Sequence, residues 1–167
     1  MTAKFDHPNI VTAFGAAKQE NNHYLAMLYI DGEDLDVRLG RGDILPERDA
    51  LQIARKIADA LAYAWEKVWI LHRDIKPANI MVDSGGEVKL MDLGISKSMA
   101  ESFARLTAAG FALGMPFYMS PEQAKSMENL DCRSDIYSLG ATLYHLLTGH
   151  VPFDSDGPID TMTKHVK

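Results

Sequence analysis

The sequence lacks the features that would place the protein in an oxidising compartment or in a membrane. Its 167 residues include a single cysteine, Cys132, so no disulfide can form within the chain. No apolar run approaches the roughly 20 residues that span a bilayer, and the first residues lack the basic patch and apolar stretch of a signal peptide. We therefore expect a cytoplasmic protein with no membrane contact from this segment.

An excess of basic side chains is also missing. The chain has 17 Lys and Arg against 23 Asp and Glu, and the formal net charge of −6 gives no electrostatic reason to bind nucleic acid. Hydrophobic residues make up 47% and charged residues 24%, as in globular domains, and we find neither internal repeats nor low-complexity segments. The composition predicts one globular domain, or part of a larger one, without a nucleic-acid partner.

Two pairs of short apolar runs predict β-hairpins, each with turn residues between its runs. The runs are residues 10–16 and 23–30 for the first hairpin, and residues 79–82 and 88–91 for the second. The first turn is predicted at Asn21 and Asn22, and the second at 83–86, where Asp-Ser-Gly-Gly suits a tight turn. Residues 31–34 are predicted to form a loop.

Helical patterns occupy most of the remaining sequence. A long amphipathic helix opens at Pro46, and its apolar face is Ala50, Ile53, Ala54, Ile57, Ala58, Leu61 and Trp65. Ser120, Pro121 and Gln123 have the pattern of a capping box and predict a helix start. A core helix over 134–148 has one apolar face, formed by Ile136, Leu139, Leu143, Leu146 and Leu147. Residues 94–114 are predicted to form a long loop.

The chemically active side chains concentrate in residues 72–79, which read His-Arg-Asp-Ile-Lys-Pro-Ala-Asn. Asp74, Lys76 and Asn79 lie on a predicted loop, and Asp92 follows across the second hairpin. One carboxylate can orient an attacking hydroxyl and accept its proton, and an ammonium group can neutralise a moving phosphoryl group. An amide and a second carboxylate can hold Mg²⁺ through oxygen ligands. These groups together are what phosphoryl transfer requires.

In these residues the sequence resembles the eukaryotic-like protein kinases, whose signature has an Asn five residues after the Asp of His-Arg-Asp. Further family motifs follow in the family's order: His7-Pro8-Asn9-Ile10-Val11, Asp92-Leu93-Gly94, Ser120-Pro121-Glu122 and Asp135-Ile136-Tyr137-Ser138-Leu139-Gly140. The amino-acid sequences of residues 76–79 and 121–124 are most similar to those of bacterial members of the serine/threonine branch.

The resemblance implies an α+β, protein-kinase-like fold with a mainly helical C-terminal lobe. Residues 1–30 would be the remnant of the N-terminal lobe, a β-hairpin of two strands followed by the hinge. Residues 31–167 would form part of the C-terminal lobe, with the catalytic loop and the activation segment. The implied activity is transfer of the ATP γ-phosphate to Ser or Thr hydroxyls of a protein substrate.

The same resemblance assigns roles to the residues of the catalytic loop, with ATP and Mg²⁺ as cofactors. Asp74 would be the catalytic base or the group that orients the hydroxyl, and Lys76 would contact the γ-phosphate of ATP. Asn79 and Asp92 would bind Mg²⁺ and so belong to the cofactor site. Asp135 would fix the catalytic loop by accepting hydrogen bonds from its backbone.

The adenine of ATP would be held at the hinge. Met27 lies where the family places its gatekeeper residue, and the backbone from Leu28 to Ile30 would hydrogen-bond the adenine. Met81 and Met91 would supply apolar contact near the ring. Ordinary core packing is an equally good interpretation of the three methionines, because Met fills irregular gaps well.

Several features of the family are missing from the sequence. No Gly-x-Gly-x-x-Gly occurs, and the strand lysine and helix glutamate that hold the nucleotide phosphates in the family would precede His7. We therefore expect a catalytic-domain fragment without most of the N-terminal lobe and the last C-lobe helices, inactive when isolated. Its exposed half-cleft predicts self-association, and the residues that line it are Met27, Tyr29, Met81, Met91 and Leu93.

A second interpretation is a pseudokinase, a binding or scaffolding module without activity. Met115 stands where serine/threonine members of the family have a threonine hydroxyl beside the catalytic Asp, and a thioether cannot replace that hydroxyl. The retained Asp74, Lys76, Asn79 and Asp92 favour an active kinase, since a module without chemistry has no physical need for all four.

Overall fold

A computed structural model describes residues 6–20, 22–93 and 116–167. Within these ranges the strands are β1 (Ala13–Gln19), β2 (Asn22–Met27), β3 (Gly32–Asp34), β4 (Ile80–Asp83) and β5 (Val88–Leu90). The helices are α1 (Leu35–Gly40), α2 (Glu47–Val68), α3 (Pro121–Ala124), α4 (Cys132–Thr148) and α5 (Pro158–Val166), with a 3-10 turn at Pro77–Asn79. The α+β class is confirmed, while the predicted loop at 94–114 lies outside the described residues.

The first predicted hairpin exists, but both of its strands are displaced from the predicted runs. β1 and β2 pair antiparallel from Ala13 opposite Met27 to Gln19 opposite Asn22. β1 begins late because the residues before it pair elsewhere: Ile10 forms a bridge with Leu90 of β5. The turn also shifts, since Glu20 has the positive φ of 55° and Asn22 already belongs to β2.

A three-stranded antiparallel sheet joins the hinge region to the second hairpin, in the order β3-β4-β5. The β4–β5 hairpin confirms the prediction. Asp83 stabilises its turn, because its Oδ1 accepts hydrogen bonds from the N–H groups of Gly85 and Glu87 at 2.9 and 2.8 Å. The predicted loop at 31–34 was wrong for Gly32–Asp34, which forms β3 against β4.

Glycine makes β3 possible. A Cβ atom at Gly32 would lie 2.3 Å from the carbonyl oxygen of Val82 and 2.6 Å from the Cα of Asp83. Only a residue without a side chain lets the two backbones approach this closely. Asp34, at the end of β3, then caps α1 by accepting a hydrogen bond from the N–H of Val37 at 2.8 Å.

Helix α2 forms the centre of the hydrophobic core, as its pattern predicts. Its buried positions are Ala50, Ile53, Ile57, Ala60, Leu61 and Ala64. Ala58, which the pattern placed on this face, is exposed. One step along an α-helix turns the side chain by about 100°, so the residue after buried Ile57 lies off the face. The helix ends at Trp69, whose φ of 54° is left-handed.

Helix α4 is the predicted core helix, although its buried face is more polar than expected. Ile136, predicted on that face, is 60% exposed. The buried positions include Ser134, Asp135, Ser138 and Thr142. These polar side chains are inside because α4 packs below a loop whose backbone groups need hydrogen-bond partners. The helix ends at Gly149, where φ is 73°.

The capping box predicted at the start of α3 is confirmed. The Ser120 hydroxyl accepts a hydrogen bond from the N–H of Gln123, and the Gln123 side chain accepts one from the N–H of Ser120. In the described ranges, none of the helices combines the length and hydropathy that crossing a bilayer demands.

Replacing Gly32 by alanine should destabilise the protein by about 1–3 kcal/mol, the usual cost of overpacking, because the new methyl group would meet backbone atoms that cannot move away cheaply. Urea unfolding monitored by circular dichroism measures the change. Gly40→Ala is the matched control, since a Cβ at Gly40 would meet nothing within 4 Å. Equal stability of the two variants would contradict the close approach of β3 and β4.

Candidate active site

The catalytic loop, residues 72–79, connects the end of α2 to β4. His72 is fully buried, and its Nε2 lies 2.7 Å from the carbonyl oxygen of Met91. Its Nδ1 accepts a hydrogen bond from the N–H of Asp74 at 3.3 Å. A carbonyl can only accept, so one neutral tautomer, with the proton on Nε2, satisfies both contacts. Both ring nitrogens of His72 are therefore occupied within the loop and its neighbouring strand end, which gives His72 a structural role.

Asp135 of α4 holds the loop from below. Its two carboxylate oxygens accept hydrogen bonds from the backbone N–H groups of His72 at 2.8 Å and Arg73 at 2.7 Å. Arg73 has a φ of 66°, a left-handed conformation that a non-glycine residue adopts only when its surroundings impose it. Burial raises the pKa of the Asp135 carboxyl, and the two backbone hydrogen bonds oppose that effect.

Asp74, Lys76 and Asn79 are in direct contact. The Lys76 Nζ lies 2.8 Å from the Asp74 Oδ2, and the Asn79 Nδ2 donates to the same Oδ2 at 3.0 Å and to the Asp74 carbonyl at 2.7 Å. The Asp74 and Lys76 side chains are 40% and 37% exposed. The geometry thus combines a fixed carboxylate with access from solvent.

The second hairpin brings Asp92 to the same end as Asn79 of this cluster. The N–H of Met91 donates to the carbonyl of Asn79 at 2.9 Å, which continues the β4–β5 ladder beyond Ile80 and Leu90. Asn79 and Asp92 therefore leave the hairpin at the same end. Asp92 has a φ of 58°, so the chain turns sharply directly after the ladder.

The oxygen chemistry at this end of the hairpin fits Mg²⁺ better than a metal that needs an all-protein cage. Across the described ranges, no group of three or more His, Cys, Asp or Glu side chains could hold a metal ion. Mg²⁺ usually takes one or two carboxylate or amide oxygens and completes its octahedron with water and phosphate oxygens. Asn79 and Asp92 can supply that limited set.

The hinge residues form a separate part of the predicted site. Among the described residues, no hydrogen bond or ion pair joins Met27, Leu28 or Ile30 to the catalytic loop. The N–H of Leu28 donates to the Thr12 carbonyl at 2.9 Å, and the Ile30 carbonyl accepts from the N–H of Gly32 at 3.0 Å. In the described part of the chain, the Leu28 carbonyl and the Ile30 N–H have no partner.

The methionines near the hinge are half-buried rather than part of the closed core. Met27 ends β2, and Met81 lies on β4 opposite Asp34 of β3. Met91 follows β5 and is half-buried too. This intermediate burial is compatible with both core packing and contact with a ligand. Met115 and Gly94 lie outside the described residues.

Sequence reasoning missed two side chains that bind the catalytic loop. The Gln123 Nε2 donates to the carbonyl of Arg73 at 2.7 Å, and the Thr142 hydroxyl donates to the carbonyl of Ile75 at 3.4 Å. The capping box did single out Gln123, but only as a local helix signal. Thr142 could have been predicted from the polar residues on the core face of α4, since a buried hydroxyl needs a hydrogen-bond partner.

Asp135→Ala should lower stability strongly, because it leaves the buried N–H groups of His72 and Arg73 without an acceptor, at about 1–3 kcal/mol for each. Urea unfolding provides the measurement. Asp131→Ala is the matched control on the same helix: Asp131 caps α4 from the surface, so its loss should cost only about 1 kcal/mol. A smaller loss for Asp135→Ala than for the control would show that Asp135 does not hold the loop.

Comparison with known proteins gives the family. A model of the protein kinase domain matches residues 1–167. A probable serine/threonine-protein kinase of Streptomyces coelicolor is 41% identical over 170 residues, which cover 99% of this chain and 25% of the relative. The serine/threonine-protein kinases PknB of Mycolicibacterium smegmatis and Mycobacterium tuberculosis are 39% and 38% identical, with 99% of this chain and 27% of each relative covered.

The chain thus spans about a quarter of the length of these curated relatives. All three are bacterial serine/threonine-protein kinases, as the amino-acid sequences of the motifs predict. The resemblance and the kinase-like fold are therefore confirmed. The chain belongs to the protein kinase domain family.

Proposed function

We propose that this chain contains the catalytic centre of a bacterial serine/threonine protein kinase, which transfers the γ-phosphate of ATP to a Ser or Thr hydroxyl of a protein. The observation that supports this function best is the contact cluster of Asp74, Lys76 and Asn79. It combines a carboxylate, an ammonium group and an amide on a loop that buried Asp135 holds in place.

In this mechanism Asp74 orients the substrate hydroxyl and accepts its proton on a carboxylate oxygen. The hydroxyl oxygen forms a bond to the γ-phosphorus, and the bond from that phosphorus to the bridging oxygen breaks, so that ADP leaves. Lys76 neutralises charge on the phosphoryl group during transfer. The 2.8 Å contact between the Lys76 Nζ and the Asp74 carboxylate supports the assignment of both groups to one reacting centre.

Asn79 and Asp92 are the residues that would hold Mg²⁺. When bound, the ion neutralises the phosphate oxygens. The Asn79 amide nitrogen donates to Asp74, so the amide oxygen is the atom left to act as a ligand. Asn79 would then couple the position of the general base to the metal site.

The hinge would hold the adenine through its backbone. The Leu28 carbonyl and the Ile30 N–H offer one acceptor and one donor, and an adenine edge carries both an amino donor and ring-nitrogen acceptors. Met27 and Met81 would contact the ring. This assignment divides the chain as the sequence predicts, with 1–30 belonging to the smaller lobe and hinge and 31–167 to the larger lobe.

The cellular setting stays a prediction. We propose a cytoplasmic catalytic region that acts on Ser or Thr residues of protein substrates. Self-association through the half-cleft also stays a prediction, and it is supported by the exposure of Leu28 and Tyr29, which are 42% and 85% exposed. The complete set of Asp74, Lys76, Asn79 and Asp92 favours this function over a pseudokinase scaffold.

Asp74→Asn should reduce the turnover number by about 10²-fold or more, because the amide cannot accept the hydroxyl proton. The assay is phosphate transfer from radiolabelled ATP to a serine-containing protein, using the longest form of the protein that contains this chain. Asp59→Asn, at an exposed position of α2, is the control and should keep full activity. If Asp74→Asn retained the wild-type rate, the proposed role of Asp74 would be wrong.

Asp92→Asn should shift the Mg²⁺ dependence of the same reaction to higher concentration, because a neutral oxygen replaces a charged ligand. A titration with MgCl₂ at saturating ATP measures the half-activating concentration, with Asp59→Asn again as the control. A titration curve that coincides with the wild type would remove Asp92 from the metal site.

A further inference from the structure

We propose that His145 of α4 is a positioning residue for the reaction: it holds Tyr118, and through Tyr118 the segment 116–120 that leads into α3 and the catalytic loop. The inference rests on the proposed function for its effect on catalysis. The contact that suggests it lies outside the Asp74 cluster. None of the site assignments made from the sequence involves His145 or Tyr118.

The side chains of Tyr118 and His145 are in direct contact. The hydroxyl oxygen of Tyr118 lies 2.7 Å from the Nδ1 of His145, which is a hydrogen-bond distance. The two rings also stack, with a centroid distance of 6.0 Å and an interplanar angle of 26°. Both residues are half-buried. The contact joins the segment before α3 to the C-terminal half of α4, so it holds together two elements that are distant in the sequence.

The protonation states of the two groups suit this hydrogen bond. Burial raises the pKa of the Tyr118 phenol well above its usual range, so the hydroxyl keeps its proton. Burial also lowers the pKa of His145, although the Asp36 carboxylate opposes that effect, so the imidazole is neutral at pH 7. In the tautomer with the proton on Nε2, the Tyr118 O–H donates to the free lone pair of Nδ1. The contact is therefore a hydrogen bond between two neutral groups.

His145 lies on the same helix as the side chains that bind the catalytic loop. Asp135 and Thr142 form hydrogen bonds with the backbone of that loop. At 100° for each residue of an α-helix, positions 135, 142 and 145 lie within an arc of about 80°. One side of α4 thus holds both the catalytic loop and Tyr118.

Tyr118 is also connected to the catalytic loop through α3. Ser120, two residues after Tyr118, is fully buried and begins the capping box of α3. Gln123, in that box, donates to the carbonyl of Arg73 at 2.7 Å. Arg73 directly precedes Asp74. A movement of Tyr118 away from α4 would therefore disturb the helical turn that contacts the loop of the general base.

A positioning role differs measurably from a purely structural one. A hydrogen bond that only stabilises the fold does not change the rate at which the folded protein works. A contact that positions the loop of Asp74 changes the turnover number kcat. The KM for ATP should stay the same, because the proposed adenine site at the hinge does not involve the segment 116–120.

The test compares three substitutions with a control. Tyr118→Phe removes only the hydroxyl and keeps the ring, while His145→Leu removes both ring nitrogens. His145→Asn places an amide near the position of Nδ1, where it can accept from the Tyr118 hydroxyl or donate to it. Tyr144→Phe is the control, because it removes the hydroxyl of a neighbouring tyrosine of α4 that is 47% exposed. Tyr118→Phe is the variant to use if His145→Leu fails to fold.

The first measurement is amide hydrogen exchange in the full chain, which requires no activity. The N–H groups of Ala124 and Lys125 make hydrogen bonds of 2.9 and 3.0 Å at α3, so their exchange reports the opening of this turn. Exchange should accelerate by about threefold to tenfold in Tyr118→Phe and His145→Leu, the equivalent of one hydrogen bond. His145→Asn should restore the wild-type rate, and the control should not change it.

The second measurement is phosphate transfer by the longest form of the protein that contains this chain. In Tyr118→Phe and His145→Leu, kcat should fall by about threefold to tenfold, while the KM for ATP stays within about twofold of the wild type. A double variant with both substitutions should be no slower than His145→Leu, because each change removes the same hydrogen bond. His145→Asn should recover kcat.

Unchanged exchange at α3 in Tyr118→Phe and His145→Leu would overturn the inference, as would a His145→Asn variant no better than His145→Leu. Losses of kcat that multiply in the double variant would show that the two side chains act separately. Faster exchange with an unchanged kcat would overturn the positioning role, and so would a KM for ATP that rises as kcat falls. A wild-type protein without phosphate transfer would instead refute the proposed function, and the exchange data would still decide whether His145 holds the segment.

Discussion

The hydrogen bonds accepted by the buried carboxylate of Asp135 are the interaction on which the arrangement of the candidate active site depends. This carboxylate accepts hydrogen bonds from the backbone N–H groups of two consecutive residues, His72 and Arg73, and so stabilises the left-handed conformation of Arg73. That conformation sets the direction in which the chain enters Asp74. The cost of burying a charge in α4 is offset because both carboxylate oxygens have donors. A helix from the second half of the chain thus determines the shape of a loop in the first half.

The same constraint explains why the core of this lobe is partly polar. An apolar α4 would leave the N–H groups of His72 and Arg73 and the carbonyl of Ile75 without these partners, so Asp135 and Thr142 replace hydrophobic side chains where the helix meets the loop. The hydrophobic contribution comes instead from α2, whose alanines and isoleucines pack in the centre. Of the two helices, α2 therefore supplies more of the buried apolar side chains, and α4 supplies hydrogen bonds to the loop.

Local signals in the sequence were sufficient for the elements whose stability is local. The period of α2, the turn residues between β4 and β5, and the capping box at Ser120 all led to correct predictions, because each element satisfies its own side chains and backbone. The order of the motifs identified the family, and the roles that it implies for the residues of 72–79 stay predictions. The contact between Asp74 and Asn79 requires only the short loop between them.

The errors arose where a partner distant in the sequence decides the structure. β3 was missed because its pairing with β4 depends on the absence of a side chain at Gly32, which periodicity cannot detect. Ile136 was placed in the core because it matches the apolar period of α4, although the neighbouring loop selects Asp135 for the buried position. Gln123 was read as a cap, and its bond to Arg73 joins residues 50 positions apart.

The double use of Gln123 has a consequence for cooperativity. α3 has only four residues, far fewer than the roughly 12–15 that an isolated helix needs to persist in water. It exists because the capping box and the bond to Arg73 stabilise it from both sides. Ordering of this single helical turn and ordering of the catalytic loop are therefore parts of one local equilibrium, in which each lowers the entropic cost of the other. The short helix and the loop should open together as one cooperative unit of the lobe.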